Sequence, residues 1–228
     1  MCGRYSSTLP PEFVGRLFGI RGPFPNFPAR YNLAPTQDGP VVRLNPETRQ
    51  RQMDLLRWGL IPSWAKEAKI GNSLINARAE TVATKPAFRN AFAKGRRCLV
   101  AADGFYEWKK DEDGTKQPWR ITMKSGGPFA FAGLWENWKD PEGNWVRTFT
   151  IITTGPNELM ERIHNRMPVI LHPDNFGHWL GEKDAPADFL LGLLEPYPAE
   201  EMTAYPVSTR VNSPKNEGPE LIKILAEL

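Results

Sequence analysis

Cysteine and histidine are scarce in this 228-residue chain: Cys2 and Cys98 are the only thiols, and His164, His172 and His178 the only imidazoles. Two cysteines cannot build a disulfide framework, and no pair of these residues has the spacing of metal ligands, so neither a structural metal nor any other cofactor is expected. Long apolar runs are missing too. The opening Met-Cys-Gly-Arg-Tyr-Ser-Ser has no signal-peptide character, and no stretch approaches the roughly 20 apolar residues that span a bilayer. The expectation is a cytoplasmic protein, not secreted, with both cysteines as thiols and no membrane partner. Internal repeats, low-complexity tracts and Gly-rich loops of the nucleotide-binding kinds are also lacking.

What the chain does have is punctuation. Its 22 prolines and 19 glycines are spread along the whole length, which favours many short elements joined by turns. Strand-like runs fill the middle: 41–44, 97–101, 104–108, 119–123, 129–135 and 145–154, with a turn at 111–114. Short helices are expected from Pro86 to about Gly95, then at 157–163, 174–180, 187–194 and 219–228. The fold class expected is α+β: a single domain over 1–228, built around a curved, mostly antiparallel, barrel-like β-sheet with short flanking helices. Its core runs over about 2–217, followed by a C-terminal helix at about 219–228.

The net charge of +3 is unevenly spread. Residues 1–110 carry 18 Lys and Arg against 8 Asp and Glu, a net +10, whereas residues 111–228 carry 11 against 18, a net −7. Ordinary solvated charge accounts for many such patterns, but a one-sided excess is also the electrostatic footprint of a phosphate-binding surface.

Cys2 carries the most distinctive chemistry. If Met1 is removed, the new terminus presents an α-amine and a thiol on adjacent carbons. The amine, with a reference pKa of about 7.7–8.0, is partly free base near neutrality and attacks an aldehyde to give a Schiff base. The neighbouring thiol then adds to the imine and closes a five-membered thiazolidine, a ring that an isolated lysine or cysteine cannot form. A cation such as Arg4 is expected to lower the thiol pKa. Position alone is also compatible with an accident of the start of the gene.

Several blocks follow in a fixed order: Tyr31-Asn-Leu-Ala-Pro35, Trp58-Gly-Leu-Ile-Pro-Ser-Trp64, Ile75-Asn-Ala-Arg-Ala-Glu-Thr81, Arg97-Cys-Leu-Val-Ala-Ala-Asp-Gly-Phe-Tyr-Glu-Trp108, Phe131-Ala-Gly-Leu-Trp-Glu136, Ile163-His-Asn-Arg-Met-Pro168 and Pro206-Val-Ser208. With the opening Met-Cys-Gly-Arg, this set resembles the SRAP (SOS response-associated peptidase) family, which includes abasic-site crosslinking proteins. The resemblance covers residues 2 to about 217. It implies that Cys2 is the crosslinking nucleophile, that Asn76 orients the lesion or the terminal amine, and that Glu107 and His164 are the catalytic carboxylate and imidazole. It also implies self-catalysed removal of Met1, although ordinary aminopeptidase processing gives the same terminus. One departure is visible: many members carry aspartate after this histidine, and here the residue is Asn165.

The residue types fit those roles. A carboxylate flanked by Phe105, Tyr106 and Trp108 is a candidate for a raised pKa and for proton transfer. His164 titrates near neutrality and can protonate the sugar ring oxygen that hides the aldehyde. Asn76 both donates and accepts without competing for a proton. Arg4, Arg78 and Arg166 are the candidate phosphate ligands, and Trp64 and Trp108 the candidate stacking residues. Trp119, Trp135, Trp138 and Trp145 are expected to be packing residues, and Cys98 an inert buried thiol. The implied partner is single-stranded DNA containing abasic sites, with nucleoid association when bound and a weak lyase activity. Two rival readings stay open: a cysteine peptidase acting in trans through Cys2, His164 and Glu107, and a non-covalent single-strand binder.

Overall fold

The computed structural model describes residues 2–21 and 23–225. Its centre is a run of strands whose apolar stretches have no polar face. In β6 (Arg97–Ala102), Cys98, Val100 and Ala102 pack into one core, while Leu99 and Ala101 pack into a second. In β9 (Phe129–Lys139), Phe129 and Phe131 face the first core and Ala130, Ala132 and Leu134 the second. A strand covered on both faces reads as a continuous apolar run, which is why these two were legible.

Both belong to a closed ring of five strands. β3 (Asp38–Leu44) pairs antiparallel with β4 (Arg51–Trp58) and with β6, and β6 pairs antiparallel with β9. β9 pairs antiparallel with β10 (Trp145–Thr154), and β10 runs parallel to β4, closing the barrel. β4 was not anticipated, because Arg51, Asp54 and Arg57 interrupt its apolar residues.

A second, antiparallel sheet leans on the first core. Its order is β13 (Met202–Pro206), β8 (Lys116–Met123), β7 (Gly104–Lys110), β1 (Tyr5–Ser7) and β2 (Arg30–Leu33). Tyr5 packs edge-on against Trp58 and Phe131 of the barrel, with ring centroids 5.2 and 5.8 Å apart. The barrel's other core is capped by α2 (Arg89–Ala93), α3 (Phe176–Leu180) and α4 (Ala187–Gly192), together with the unanticipated α1 (Pro11–Leu17). The architecture is the expected α+β arrangement, with the curved sheet fully closed.

Two expectations need correction. The 219–228 helix is a single 3-10 turn at Pro219–Ile222, and Lys223 is already extended. The Leu225 N–H donates to the Pro206 carbonyl, so the chain here extends the end of β13 rather than bonding to itself; residues 226–228 lie outside the described residues. Trp145 is not a packing residue: it is 66% exposed at the start of β10, beside the Lys139 ammonium. Trp135 and Trp138 are buried as expected, and so is Cys98, whose thiol burial pushes well above its ordinary pKa. Among the described residues no helix is long and apolar enough to cross a membrane.

Candidate active site

The site forms where the barrel comes apart. Along β10, the partners up to Phe149 are β4 on one edge and, up to Ile151, β9 on the other. Beyond that point both edges change hands. β5 (Asn76–Arg78) takes over in parallel, setting Asn76 beside Ile151 and Arg78 beside Thr153. β11 (Met167–Pro168) takes over antiparallel at Thr153 and Thr154, and the following β12 (Ile170–Leu171) pairs back onto β9. Val169 bridges the parting strands, its N–H donating to Ile152 and its carbonyl accepting from Ala132. The Asn-Ala-Arg motif and the Met-Pro end of the His-Asn-Arg-Met-Pro motif are therefore the two short strands inserted where β10 outruns its neighbours.

The second sheet supplies the other half. β1 pairs with β7, Tyr5 against Phe105, and the Tyr106 N–H donates to the Arg4 carbonyl at 3.0 Å. Continuing that register by one residue sets Gly3 opposite Glu107, which places Cys2 beside the carboxylate. Cys2 is fully buried, and its Sγ lies 3.9 Å from the Arg4 carbonyl oxygen.

Electrostatics at this junction are governed by burial. The Glu107 side chain is 3% exposed, and desolvation raises its pKa to about 7. His164 follows the 3-10 turn Met160–Arg162, and its Nε2 lies 3.9 Å from Glu107 Oε2. The Arg166 N–H donates to His164 Nδ1 at 3.1 Å. The Arg166 carbonyl oxygen lies 3.3 Å from the same Nδ1, so the Arg166 backbone holds the ring with Nε2 facing Glu107. Burial lowers the pKa of His164, favouring the neutral form. Burial thus biases both groups toward their neutral forms. Asn76 Nδ2 reaches the Ile151 carbonyl at a long 3.5 Å, and its Oδ1 is buried with no hydrogen-bond partner among the described residues.

The expected cation beside the thiol is not what the structure shows. The Arg4 guanidinium donates to Asn32 Oδ1 at 2.8 Å and to the carbonyls of Val211 and Asn212 at 2.6 and 3.0 Å. Only its carbonyl faces Cys2, and burial together with the Glu107 carboxylate pushes the thiol pKa far up rather than down. Arg166 pairs with both carboxylate oxygens of Glu80 and donates to the Thr153 carbonyl, tying the two inserted strands together. Arg78 is exposed, and Trp64 is 55% exposed. Trp108 donates from Nε1 to Asn212 Oδ1 at 2.8 Å.

Two residues that sequence reasoning missed hold this arrangement. Asn32 is fully buried and donates from Nδ2 to the Ser213 and Asn216 carbonyls, which clamps the 211–216 loop beside Arg4. Asp103 accepts from Ser6, Thr8 and Arg120, which fixes β1 against β7 and β8. Both sit inside motif blocks, but a buried polar hub has no signature in the order of residues. No group of His, Cys, Asp and Glu suited to a metal ion occurs among the described residues.

Residues 1–214 match the model of the SOS response associated peptidase (SRAP) family. The chain belongs to that family. Among its relatives, it is 50% identical over 227 residues to the abasic site processing protein YoqW of Bacillus subtilis, covering 98% of this chain and 99% of that one. It is 32% identical over 261 residues to the abasic site processing protein HMCES of Xenopus tropicalis, covering 96% of this chain and 77% of the other. A crystal structure of a protein from Bacteroides thetaiotaomicron superposes with a TM-score of 0.87 at 28% identity, covering 99% of this chain and 100% of that one. In this SRAP chain Glu107 comes from the second sheet and Cys2 from the segment leading into its β1, whereas Asn76 comes from β5 and His164 from the loop that leads into β11.

Proposed function

We propose that this protein processes abasic sites in single-stranded DNA by capturing the ring-opened sugar covalently on Cys2, once Met1 has been removed. The observation that carries the reading is the Glu107–His164 pair, 3.9 Å apart, with a buried carboxylate and a partly exposed imidazole, beside the segment that carries Cys2 into β1. His164 protonates the ring oxygen of the hemiacetal to expose the aldehyde. The α-amine of Cys2 attacks the carbonyl, and Glu107 accepts and returns protons as the carbinolamine loses water to form the imine. The Cys2 thiol adds to the imine carbon, its proton passing to the nitrogen through Glu107. The net change is aldehyde plus aminothiol giving thiazolidine plus one water. Asn76, with an unpaired buried oxygen, orients the amine or the sugar. Opening of the imine before ring closure would permit strand β-elimination, the expected source of a weak lyase activity. The same reading has Glu107 and Cys2 assist hydrolysis of the Met1–Cys2 bond. The names of the YoqW and HMCES relatives support the choice of substrate.

The high thiol pKa bears on the rival reading of a peptidase acting in trans. Such an enzyme needs a standing thiolate, whereas the thiazolidine route uses the amine first and the thiol only after the imine is in place. The deciding measurement is the intact mass of the protein before and after mixing with a single strand bearing one abasic site. Loss of Met1 and a gain equal to the DNA minus one water are expected, the DNA gain being absent in Cys2→Ala. A mature N-terminus that gains no mass would overturn the proposal and leave a non-covalent binder.

A further inference from the structure

Between the end of β10 and His164 the chain makes a short helical turn, and Asn157 lies at its start. The residue is 7% exposed. Its Oδ1 accepts from the Met160 N–H at 2.9 Å, and its carbonyl accepts from the Glu161 N–H at 2.9 Å. The carbonyl of the fully buried Met160 accepts in turn from the N–H groups of Ile163 and His164, at 2.8 and 2.7 Å. Hydrogen bonds thus run from the Asn157 side chain through Met160 to the backbone of His164. So short a turn does not hold itself, and a side-chain oxygen placed on one of its free N–H groups is the local remedy. The other half of the same amide points across the junction. Asn157 Nδ2 donates to the Tyr197 carbonyl at 2.6 Å and lies 3.3 Å from Met202 Sδ. Tyr197 is tied to its own loop by its hydroxyl, which donates to Glu201 at 3.1 Å. That loop feeds β13 at Met202; β13 pairs with β8, and β8 sets Trp119 opposite Glu107 of β7.

Resting on the abasic-site reading above, we infer that Asn157 is a positioning residue, which sets the His164 imidazole against the Glu107 carboxylate. The two reacting groups come from different parts of the fold, 3.9 Å apart, and one side chain bonds both to the turn that ends in His164 and to the loop that feeds the sheet carrying Glu107. An amide suits the place because it donates and accepts at once and carries no charge. A carboxylate at this position would turn an anion toward the Tyr197 carbonyl, and an aliphatic side chain would leave that carbonyl and the Met160 N–H unmet. The role is separate from mere stabilisation, since a shift of about 1 Å between reacting groups can cost about 10² in rate. Asn157 was legible in the sequence only as the start of a short helix. Its partner at Tyr197 lies forty residues further along and is brought to it by the second sheet.

The test follows adduct formation in single turnovers against rising concentrations of a strand bearing one abasic site, with protein whose Met1 is confirmed absent. Asn157→Ala is expected to lower the maximal rate by roughly 10- to 100-fold while the half-saturating concentration changes less than about twofold, because misplaced chemistry and intact binding separate in this way. Asn157→Ser keeps an oxygen for the Met160 N–H but loses the donor to Tyr197, and its maximal rate is expected between those of the parent and Asn157→Ala. With His164→Ala already in place, Asn157→Ala is expected to slow the residual reaction by less than about twofold, since it acts through the imidazole that is gone. A slowing that multiplies in full with that of His164→Ala, or a loss carried by the half-saturating concentration, would overturn the inference. If Asn157→Ala does not fold, Asn157→Ser and its pairing with His164→Ala decide by the same criteria. A parent that forms no adduct overturns the covalent reading and this inference with it, whereas a reacting parent matched in rate by both Asn157 variants overturns the inference alone.

Discussion

Glu107 and His164 respond to the same burial in opposite senses: it raises the carboxylic acid and lowers the imidazole. Both are therefore biased toward neutral forms. The stability consequence has a definite sign. In the unfolded chain a glutamate titrates near 4.3. In the fold Glu107 titrates at about 7, so the folded state holds this proton more tightly and is most stable below the unfolded value. Stability on the order of 3 kcal/mol is lost as pH rises from about 4 through about 7. Glu107→Gln should flatten that decline in urea titrations across the window, while slowing adduct formation by about 10² or more. An unchanged pH profile would mean that the carboxylate is not held as described. At this scale the reactive residue types were legible in the motifs, but their electrostatics were not. Arg4 looked like an activator of the thiol because it is two residues away, yet the pleat of the chain sends its guanidinium to Asn32 and the 211–212 carbonyls.

Among the elements, β1 is three residues long and bears the segment that must deliver Cys2. So short a strand cannot hold position by pairing alone. Asp103 supplies the hold, accepting from Ser6 Oγ at 2.5 Å, from the Thr8 N–H at 2.6 Å and from Arg120 at 3.0 Å, with both partners of the ion pair about 10% exposed. Asp103→Ala leaves a buried guanidinium unmatched and should cost about 3 kcal/mol, read as a lower urea midpoint at an unchanged slope. β9 is sensitive in another way. A Cβ on Gly133 would lie 2.9 Å from the Thr150 carbonyl oxygen of β10 and 2.9 Å from Cys98 Sγ of β6. Gly133→Ala should lower the melting midpoint by the equivalent of about 1–3 kcal/mol, since a backbone oxygen cannot step aside as a side chain can. Strands buried on both faces announced themselves as apolar runs. β5 and β11, three and two residues long, did not, because they exist only where β10 outruns its neighbours. That is a property of the closed barrel and not of local sequence.

For the whole molecule, the excess of positive charge in residues 1–110 does not by itself locate a binding surface: the Arg4 guanidinium is taken by Asn32 and the 211–212 carbonyls, and Arg166, from the other half, is taken by Glu80. The joining of two sheets around the segment that carries Cys2 was not legible in the sequence. The proposed chemistry makes the terminus of that segment the reagent, and this separates the covalent reading from its rivals. A peptidase or a non-covalent binder needs the Cys2 side chain or nothing of it, and neither needs a free α-amine at residue 2. An α-amine buried in an amide has no basic lone pair, so any residue kept ahead of Cys2 blocks imine formation while leaving the other side chains in place. A protein carrying an uncleaved, non-removable N-terminal tag should therefore bind abasic single strands with affinity close to the untagged form and give no heat-stable adduct on a denaturing gel. Cutting the tag with a protease that leaves Cys2 first should restore the adduct in the same sample. Adduct formation by the tagged chain would show that the thiol or another side chain does the capturing, and the amine-first mechanism would have to be abandoned.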